Sequence, residues 1–224
     1  MESNEMTNRE KICRRLAQEY NDGELVNLGA GIPSETPKYL APGKTVFFQN
    51  EGGVIGIGVP AQDQKTGRDF VDASGQVVSS LPGGMWFECS YSFALMRSGH
   101  LDKTILGGLE ADQEGSLSNW IVPGRIVFGM GGAMDLIAGA KKVIVGMEHC
   151  TKNGDSRILK KCKLPLTGYR AIDKLVTEKA VFDVLPDGQG LVLLEVAPGL
   201  SVDDIRAVTE ADFTVSDNLK EIEL

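Results

Sequence analysis

The sequence predicts an α/β protein whose open, largely parallel sheet is covered by helices on both faces. Short apolar runs alternate with helical patterns, the runs are uniformly apolar, and glycines cluster where they end. Strands buried on both faces have continuous apolar sequences, and strand–helix alternation is typical of parallel sheets. We expect one domain over residues 1–224, because this length suits a single core and no segment has the composition of a linker.

Seven short runs have the composition of strands, with β-branched and aromatic residues enriched and turn residues at their ends. The predicted strands are residues 25–28, 45–49, 77–81, 104–109, 142–147, 181–185 and 191–195. Residues 54–60 are too rich in glycine for a stable helix, and residues 62–68 have the composition of an exposed loop.

The helical segments have recognisable beginnings. Thr7 and Glu10 have the spacing of a capping box at the start of a helix. Gly23 suits the C-terminal end of that same helix. Ser201 is expected to cap a helix that continues to Val208. Further short helices are predicted at residues 36–40, 93–96 and 136–140.

Composition argues against several classes of protein. The net charge of −8 disfavours a general affinity for nucleic acid or for an anionic membrane. No run of about 18 apolar residues indicates a membrane span, and the acidic, polar start differs from a targeting peptide. Four dispersed cysteines and two separated histidines predict a cytoplasmic protein with free thiols and no metal site.

Glu51 is the first candidate for chemistry. It follows a predicted strand, at the end where open parallel sheets bind ligands, and two glycines after it leave room for a substrate. A glutamate is ionised at neutral pH and can act as a nucleophile without a helper base. From this spacing alone, a solvated glutamate in a turn is the more common explanation.

Glycine-rich turns are the second kind of candidate. Gly131 and Gly132 precede a predicted helix, where backbone N–H groups can face an anion or a developing oxyanion. A tight turn without a ligand fits equally well. Gly29 and Gly31 either let a ligand approach the backbone or form a packing turn. Met134 breaks the dinucleotide-binding fingerprint, which requires glycine or alanine there.

Other polar residues have structural interpretations. Asp135 suits a helix cap or dipole partner, and His149 suits a hydrogen-bonded residue at a strand end. Asn119 and Trp120 either line a pocket or close the core. No serine stands in a G-x-S-x-G motif, which argues against an α/β-hydrolase.

Several segments are far more specific together than singly. Residues 26–33 (VNLGAGIP) are similar to a V-N-L-G-x-G-x-P motif, and residues 49–53 (QNEGG) lie where a Q-S-E-N-G motif would stand. The chain thereby resembles the β subunits of family I coenzyme A (CoA) transferases of the short-chain 3-oxoacid type. The resemblance covers about residues 9–212. Other similar segments are residues 119–124, 129–136, 147–149, 159–162 and 164–167.

The resemblance implies a fold of the CoA-transferase and sugar-phosphate-isomerase kind, CoA as substrate rather than resident cofactor, and an α subunit in an α2β2 assembly. It implies that Glu51 is the nucleophile and that the Gly132 N–H helps to form an oxyanion hole. Contacts with substrate or CoA are expected from Gly29, Gly31, Gly52, Gly53, Asn119 and Gly131. Asn50 and Gly52 depart from the usual serine and asparagine, and Gln76 replaces a lysine that pairs with a CoA phosphate in some relatives.

The implied reaction is a ping-pong transfer of CoA between an acyl-CoA and a short-chain acid, such as acetoacetate with succinate, acetate or butyrate. Two other functions stay open at this point. The altered neighbours of Glu51 suggest a regulatory or non-catalytic subunit. The second alternative is a protein that has the same fold but binds a sugar phosphate, because fold does not fix function.

Overall fold

The fold is described from a computed structural model that covers residues 6–60, 71, 75 and 77–224. The predicted loop at residues 62–68 and the departure at position 76 lie outside the described residues. Within those residues, no helix is long and apolar enough to cross a membrane.

The described strands are short, and most lie within one sheet. In chain order they are β1 (Leu25–Leu28), β2 (Phe47–Asn50), β3 (Val54–Pro60), β4 (Val78–Trp86), β5 (Lys103–Gly107), β6 (Glu110–Asp112), β7 (Leu117–Ser118), β8 (Ile121–Val122), β9 (Ile126–Val127), β10 (Val143–Gly146), β11 (Ile158–Leu159), β12 (Lys174–Val176), β13 (Ala180–Leu185), β14 (Gly190–Val196) and β15 (Phe213–Glu221).

The helices lie between these strands. In chain order they are α1 (Asn8–Ala17), α2 (Ile32–Glu35), α3 (Cys89–Arg97), α4 (Ala133–Gly139) and α5 (Val202–Val208), with 3-10 turns at Thr36–Tyr39 and Pro186–Gly188.

The main sheet of the described strands has the order β15-β14-β13-β12-β10-β5-β1-β2-β3-β4. Its centre, from β2 through β1, β5 and β10 to β12, is entirely parallel. This confirms the predicted largely parallel sheet. Antiparallel pairs flank the centre on both sides, at β2-β3-β4 and at β12-β13-β14. These flanks were not predicted, and the glycine-rich β3 in particular has a weak local strand signal.

Buried residues on both faces explain why the central strands are uniformly apolar. Successive side chains of a strand point to opposite faces. In β10, Ile144 packs in the core that contains Ile12 of α1, whereas Val143 and Val145 pack in the core that contains Met96 of α3. Burial of each such side chain contributes about 1.5–3 kcal/mol. The predicted helical cover on both faces is therefore confirmed.

The predicted cap at Ser201 is confirmed, whereas the predicted capping box at Thr7 and Glu10 is confirmed only in part. Thr7 Oγ1 accepts a hydrogen bond from the Glu10 N–H at 3.2 Å, as predicted. The Glu10 carboxylate, however, binds Arg14 at 3.0 Å, so the predicted capping box is incomplete. Ser201 forms a complete box with Asp204, and the helix ends at Val208 as predicted.

His149 is a fully buried structural residue, as its position after a strand predicted. Its ring nitrogens lie 3.0 Å and 2.9 Å from the hydroxyls of Thr177 and Thr209. Burial lowers the pKa of His149 to about 4, and nearby Lys179 acts in the same direction. The ring is thus neutral at pH 7.

This burial predicts a pH-dependent loss of stability. The unfolded chain binds a proton at His149 below about pH 6.5, whereas the folded chain resists protonation until about pH 4. The histidine should therefore cost about 2 kcal/mol of unfolding free energy between pH 7.5 and pH 5. Denaturant unfolding at both pH values measures this loss, which His149→Gln should remove. His100→Gln, at an exposed position, is the control and should retain it.

Candidate active site

A cleft of about 660 Å³ lies at the carboxyl ends of the central parallel strands. Its walls include Gly29 after β1, Glu51 after β2, Gly107 at the end of β5 and Gly146 at the end of β10. This is the edge at which open parallel sheets bind their ligands. The glycines in these walls have no side chains, so a ligand can approach the backbone at the ends of several strands.

A tight turn between β2 and β3 presents Glu51 to this cleft. The Gly53 N–H donates to the Asn50 carbonyl at 3.2 Å and closes the turn. Gly53 has a φ of +101°, and a Cβ there would collide with the Phe87 carbonyl oxygen. Gly52 and Gly53, which we expected to contact the substrate, are not among the residues that line the cleft. Gly53 has a packing role in the turn, and substrate contacts of Gly52 and Gly53 stay a prediction.

The Glu51 carboxylate meets the backbone of the second glycine-rich turn. The Gly132 N–H donates to Glu51 Oε2 at 2.7 Å, across 81 positions of sequence. A Cβ at Gly132 would lie 2.5 Å from Glu51 Oε2, and one at Gly131 would lie 3.1 Å from Glu51 Oε1. The absence of side chains at these two positions therefore makes room for the carboxylate.

Helix α3 packs beside Gly132, next to its contact with Glu51. A Cβ at Gly132 would lie 3.1 Å from Met96 Cε and 3.5 Å from Phe93 Cζ. Gly139 of α4 packs directly on α3, since a Cβ there would collide with the Met96 carbonyl oxygen. Asp135, in the first turn of α4, pairs with Arg97 at 2.6 Å and adds a link between the helices. The start of α4 is thereby held against the β2–β3 turn.

The remaining predicted residues lie on the cleft wall, and some of their polar groups form hydrogen bonds within the protein. The Gly29 N–H donates to the Ile105 carbonyl at 2.9 Å, and Gly31 adopts a φ of +87° before α2. Asn119 donates through Nδ2 to the Gly107 carbonyl at 3.1 Å and accepts the Thr167 hydroxyl at 2.6 Å. These contacts fix the carboxamide plane of Asn119.

Comparison with known proteins assigns this chain to a family. Residues 9–207 match the family model described as Coenzyme A transferase. The chain belongs to the coenzyme A transferase family.

Similar proteins occur both as separate subunits and as longer chains. The acetate CoA-transferase subunit beta of Haemophilus influenzae is 48% identical over 98% of this chain and 97% of its own length. The mitochondrial succinyl-CoA:3-ketoacid coenzyme A transferase 2B of Mus musculus is 47% identical over 95% of this chain, which spans 41% of that protein.

Solved structures share the fold of this transferase-family chain. An acyl-CoA transferase of Escherichia coli O157:H7 superposes with a TM-score of 0.76 at 22% identity, over 97% of this chain and 43% of the other.

Sequence reasoning missed several residues of the transferase cleft. Arg9, Phe128, Glu148 and Arg157 line it as well. They come from three separate regions of the chain, since Glu148 and Arg157 both lie between β10 and β11, and no sequence motif marks them as a group. Within the described residues, no three His, Cys, Asp or Glu side chains are grouped so as to hold a metal ion.

Gly132→Ala should displace the Glu51 carboxylate, because its methyl group would lie 2.5 Å from Oε2. We expect kcat for CoA transfer to fall by about 100-fold, which is the scale for loss of one oxyanion donor. Steady-state kinetics of the assembled enzyme measure the effect. Gly43→Ala is the control, since this residue is exposed, lies outside the cleft, and its methyl group would meet nothing within 4 Å. Equal losses in the two variants would contradict a specific role for Gly132.

Proposed function

We propose that this chain is the catalytic β subunit of a CoA transferase, and that Glu51 carries first the acyl group and then CoA. The hydrogen bond from the Gly132 N–H to Glu51 Oε2 in the glycine-walled cleft supports the proposal most directly. The names of the similar proteins support the reaction class. Their names mention acetate, succinyl-CoA and 3-ketoacids, so short-chain acids such as acetate, succinate, acetoacetate and butyrate are the proposed substrates.

The first half-reaction transfers CoA to the enzyme. A Glu51 carboxylate oxygen attacks the thioester carbonyl carbon of the acyl-CoA, the C–S bond breaks, and CoA leaves as a thiolate. The product is a mixed anhydride of the acyl group and Glu51. The thiolate then attacks Cδ of Glu51, the anhydride C–O bond breaks, and the first acid leaves as a carboxylate. Glu51 now carries CoA as a thioester.

The second half-reaction runs the same steps in reverse with a different acid. Its carboxylate attacks Cδ of Glu51, the thiolate leaves, and a new mixed anhydride forms. The thiolate then attacks the new acyl carbonyl and regenerates the Glu51 carboxylate. Both anhydrides would hydrolyse in bulk water, so the reaction requires a cleft from which water is excluded.

The Gly132 N–H suits the steps in which Cδ of Glu51 is attacked. When a thiolate or carboxylate adds to Cδ, negative charge develops on the glutamyl oxygen that becomes the oxyanion. A hydrogen bond to Oε2 at 2.7 Å has the length of an oxyanion-hole contact. The donor is a backbone group, so it needs no reorganisation when the charge appears.

Glu51→Gln should abolish CoA transfer, because an amide cannot serve as the carboxylate nucleophile. We expect kcat to fall by more than about a thousandfold, as for other lost nucleophiles. Incubation of the assembled enzyme with acyl-CoA, followed by borohydride or hydroxylamine trapping and peptide mapping, should place the label on Glu51. Glu148→Gln removes the other cleft carboxylate that the structure describes and is the matched control.

Each rival function has its own outcome in this experiment. Full turnover by Glu51→Gln, or a label on Glu148, would contradict the assigned nucleophile. A wild-type complex that binds its partner but never forms a thioester would favour a non-catalytic subunit. Binding of a sugar phosphate without any reaction with acyl-CoA would favour the isomerase-like alternative.

An α subunit, in an α2β2 assembly, is the proposed partner. The similar mouse protein extends well beyond the segment that this chain matches, and the bacterial relative is named as one subunit. An apolar surface beside the cleft suits such a partner: Ile126, Val127 and Phe128 are 45%, 67% and 61% exposed. They belong to or follow the β8–β9 hairpin, whose two strands form a separate sheet and pair with no other described strand. Phe128 also lines the cleft, so a partner here would cover the mouth of the site.

Val127→Lys should weaken assembly with the α subunit, because it places a charge in the proposed apolar contact. We expect at least about a tenfold rise in the dissociation constant, or about 1.4 kcal/mol. Co-purification and titration of the two subunits measure it. Val215→Lys changes another exposed valine, on the edge strand β15, and should assemble normally. Normal assembly of Val127→Lys would exclude this hairpin as the interface.

A further inference from the structure

A buried polar cluster behind Glu51 takes no part in the chemistry proposed above. Gln49, Ser92 and Thr104 are completely buried, and Asn27 is nearly so. Polar groups in a core destabilise the fold unless they are hydrogen-bonded, and an apolar side chain of similar size avoids that cost. Packing alone therefore does not explain why polar side chains occupy these buried positions.

The cluster converges on one backbone carbonyl, that of Asn50. Gln49 Nε2 donates to it at 2.6 Å, Ser92 Oγ donates to it at 3.1 Å, and the Gly53 N–H donates to it at 3.2 Å. This carbonyl belongs to the peptide group that joins Asn50 to Glu51. Three donors on one oxygen fix the plane of that peptide group, and hence the direction in which the Glu51 side chain leaves the backbone.

The central strands fix the donors in turn. Gln49 Oε1 accepts from Asn27 Nδ2 at 2.7 Å, and Asn27 Oδ1 accepts from the Thr104 hydroxyl at 3.0 Å. With its oxygen held by Asn27, the Gln49 carboxamide must present its nitrogen to the Asn50 carbonyl and to Ser92 Oγ, which lies 2.8 Å away. The chain of bonds crosses β2, β1 and β5, which are adjacent in the rigid centre of the sheet.

Ser92 also connects the nucleophile to its hydrogen-bond donor. It lies in α3, and the neighbouring Phe93 and Met96 of that helix contact the space beside Gly132. A single helix thus touches both the backbone that carries Glu51 and the turn that carries the Gly132 N–H. We infer that Ser92 and Gln49 are positioning residues, which hold the Glu51 carboxylate in register with the Gly132 N–H. This inference rests on the proposed function of Glu51.

The test is Ser92→Ala in the assembled enzyme. We expect kcat to fall by about 10- to 100-fold, because a small misplacement of a reacting group has effects of this size. KM for the acyl-CoA and for the acid should stay within about twofold, since Ser92 does not line the cleft. Trapping should show slower formation of the Glu51 thioester. Ser92→Thr keeps the hydroxyl and should recover most of kcat.

Two further variants separate positioning from stability. Ser118→Ala removes another fully buried hydroxyl, which donates to the Leu164 carbonyl at 3.0 Å. It should lower the melting temperature comparably and leave kcat unchanged. Thr104→Val is nearly isosteric and removes only the outermost bond of the chain, so we expect a loss in kcat of about three- to tenfold.

The outcomes distinguish this inference from the proposed function. Unchanged kcat in Ser92→Ala, or an equal loss in Ser118→Ala, would overturn the positioning role while wild-type labelling of Glu51 stands. If Ser92→Ala does not assemble, Thr104→Val decides, and an unchanged kcat there overturns the inference equally. Absence of any Glu51 thioester in the wild-type complex would instead reject the proposed function.

Discussion

The hydrogen bond between the Gly132 N–H and the Glu51 carboxylate is the contact on which the site depends. It joins turns that are 81 positions apart in sequence, so neither turn specifies it alone. The contact forms because α4 lies close enough to α3, and α3 close enough to the β2–β3 turn. Each approach involves a glycine whose Cβ would collide with a backbone oxygen: Gly139 meets the Met96 carbonyl of α3, and Gly53 meets the Phe87 carbonyl just before α3. Close backbone packing at glycines therefore sets the position of the Glu51 carboxylate.

The high glycine content thus has more than one physical cause. The sequence suggested that glycine clusters serve ligand approach, and Gly29 and Gly31 do lie on the cleft wall. Gly53 and Gly139 instead allow backbone segments to pack closely, while Gly131 and Gly132 leave space for the Glu51 carboxylate. A glycine motif indicates that something approaches the backbone there, but only the fold identifies what approaches.

The central fold was predictable because its signals are local. Continuous apolar runs indicated strands buried on both faces, and the strand before Glu51 placed this residue at the ligand-binding edge of the sheet. The antiparallel flanks and the incomplete box at Glu10 were missed, since tertiary partners decide them. Ser92 was missed for the same reason. A serine within a short helix has no local mark of function, and its role depends on a carbonyl 42 positions earlier in the chain.

The departures beside Glu51 are coupled in space, which bears on whether the site is degenerate. Asn50 is buried, and its Oδ1 has no hydrogen-bond partner among the described residues. A Cβ at position 52 would lie 3.3 Å from this oxygen, so glycine at position 52 relieves crowding by the larger side chain at position 50. The backbone carbonyl of Asn50 still receives its three donors, and Glu51 still reaches Gly132. Glycine at position 52 thus suits the larger side chain at position 50, and the Glu51 carboxylate keeps its contact with Gly132, an arrangement that supports the proposed catalytic role over a non-catalytic one.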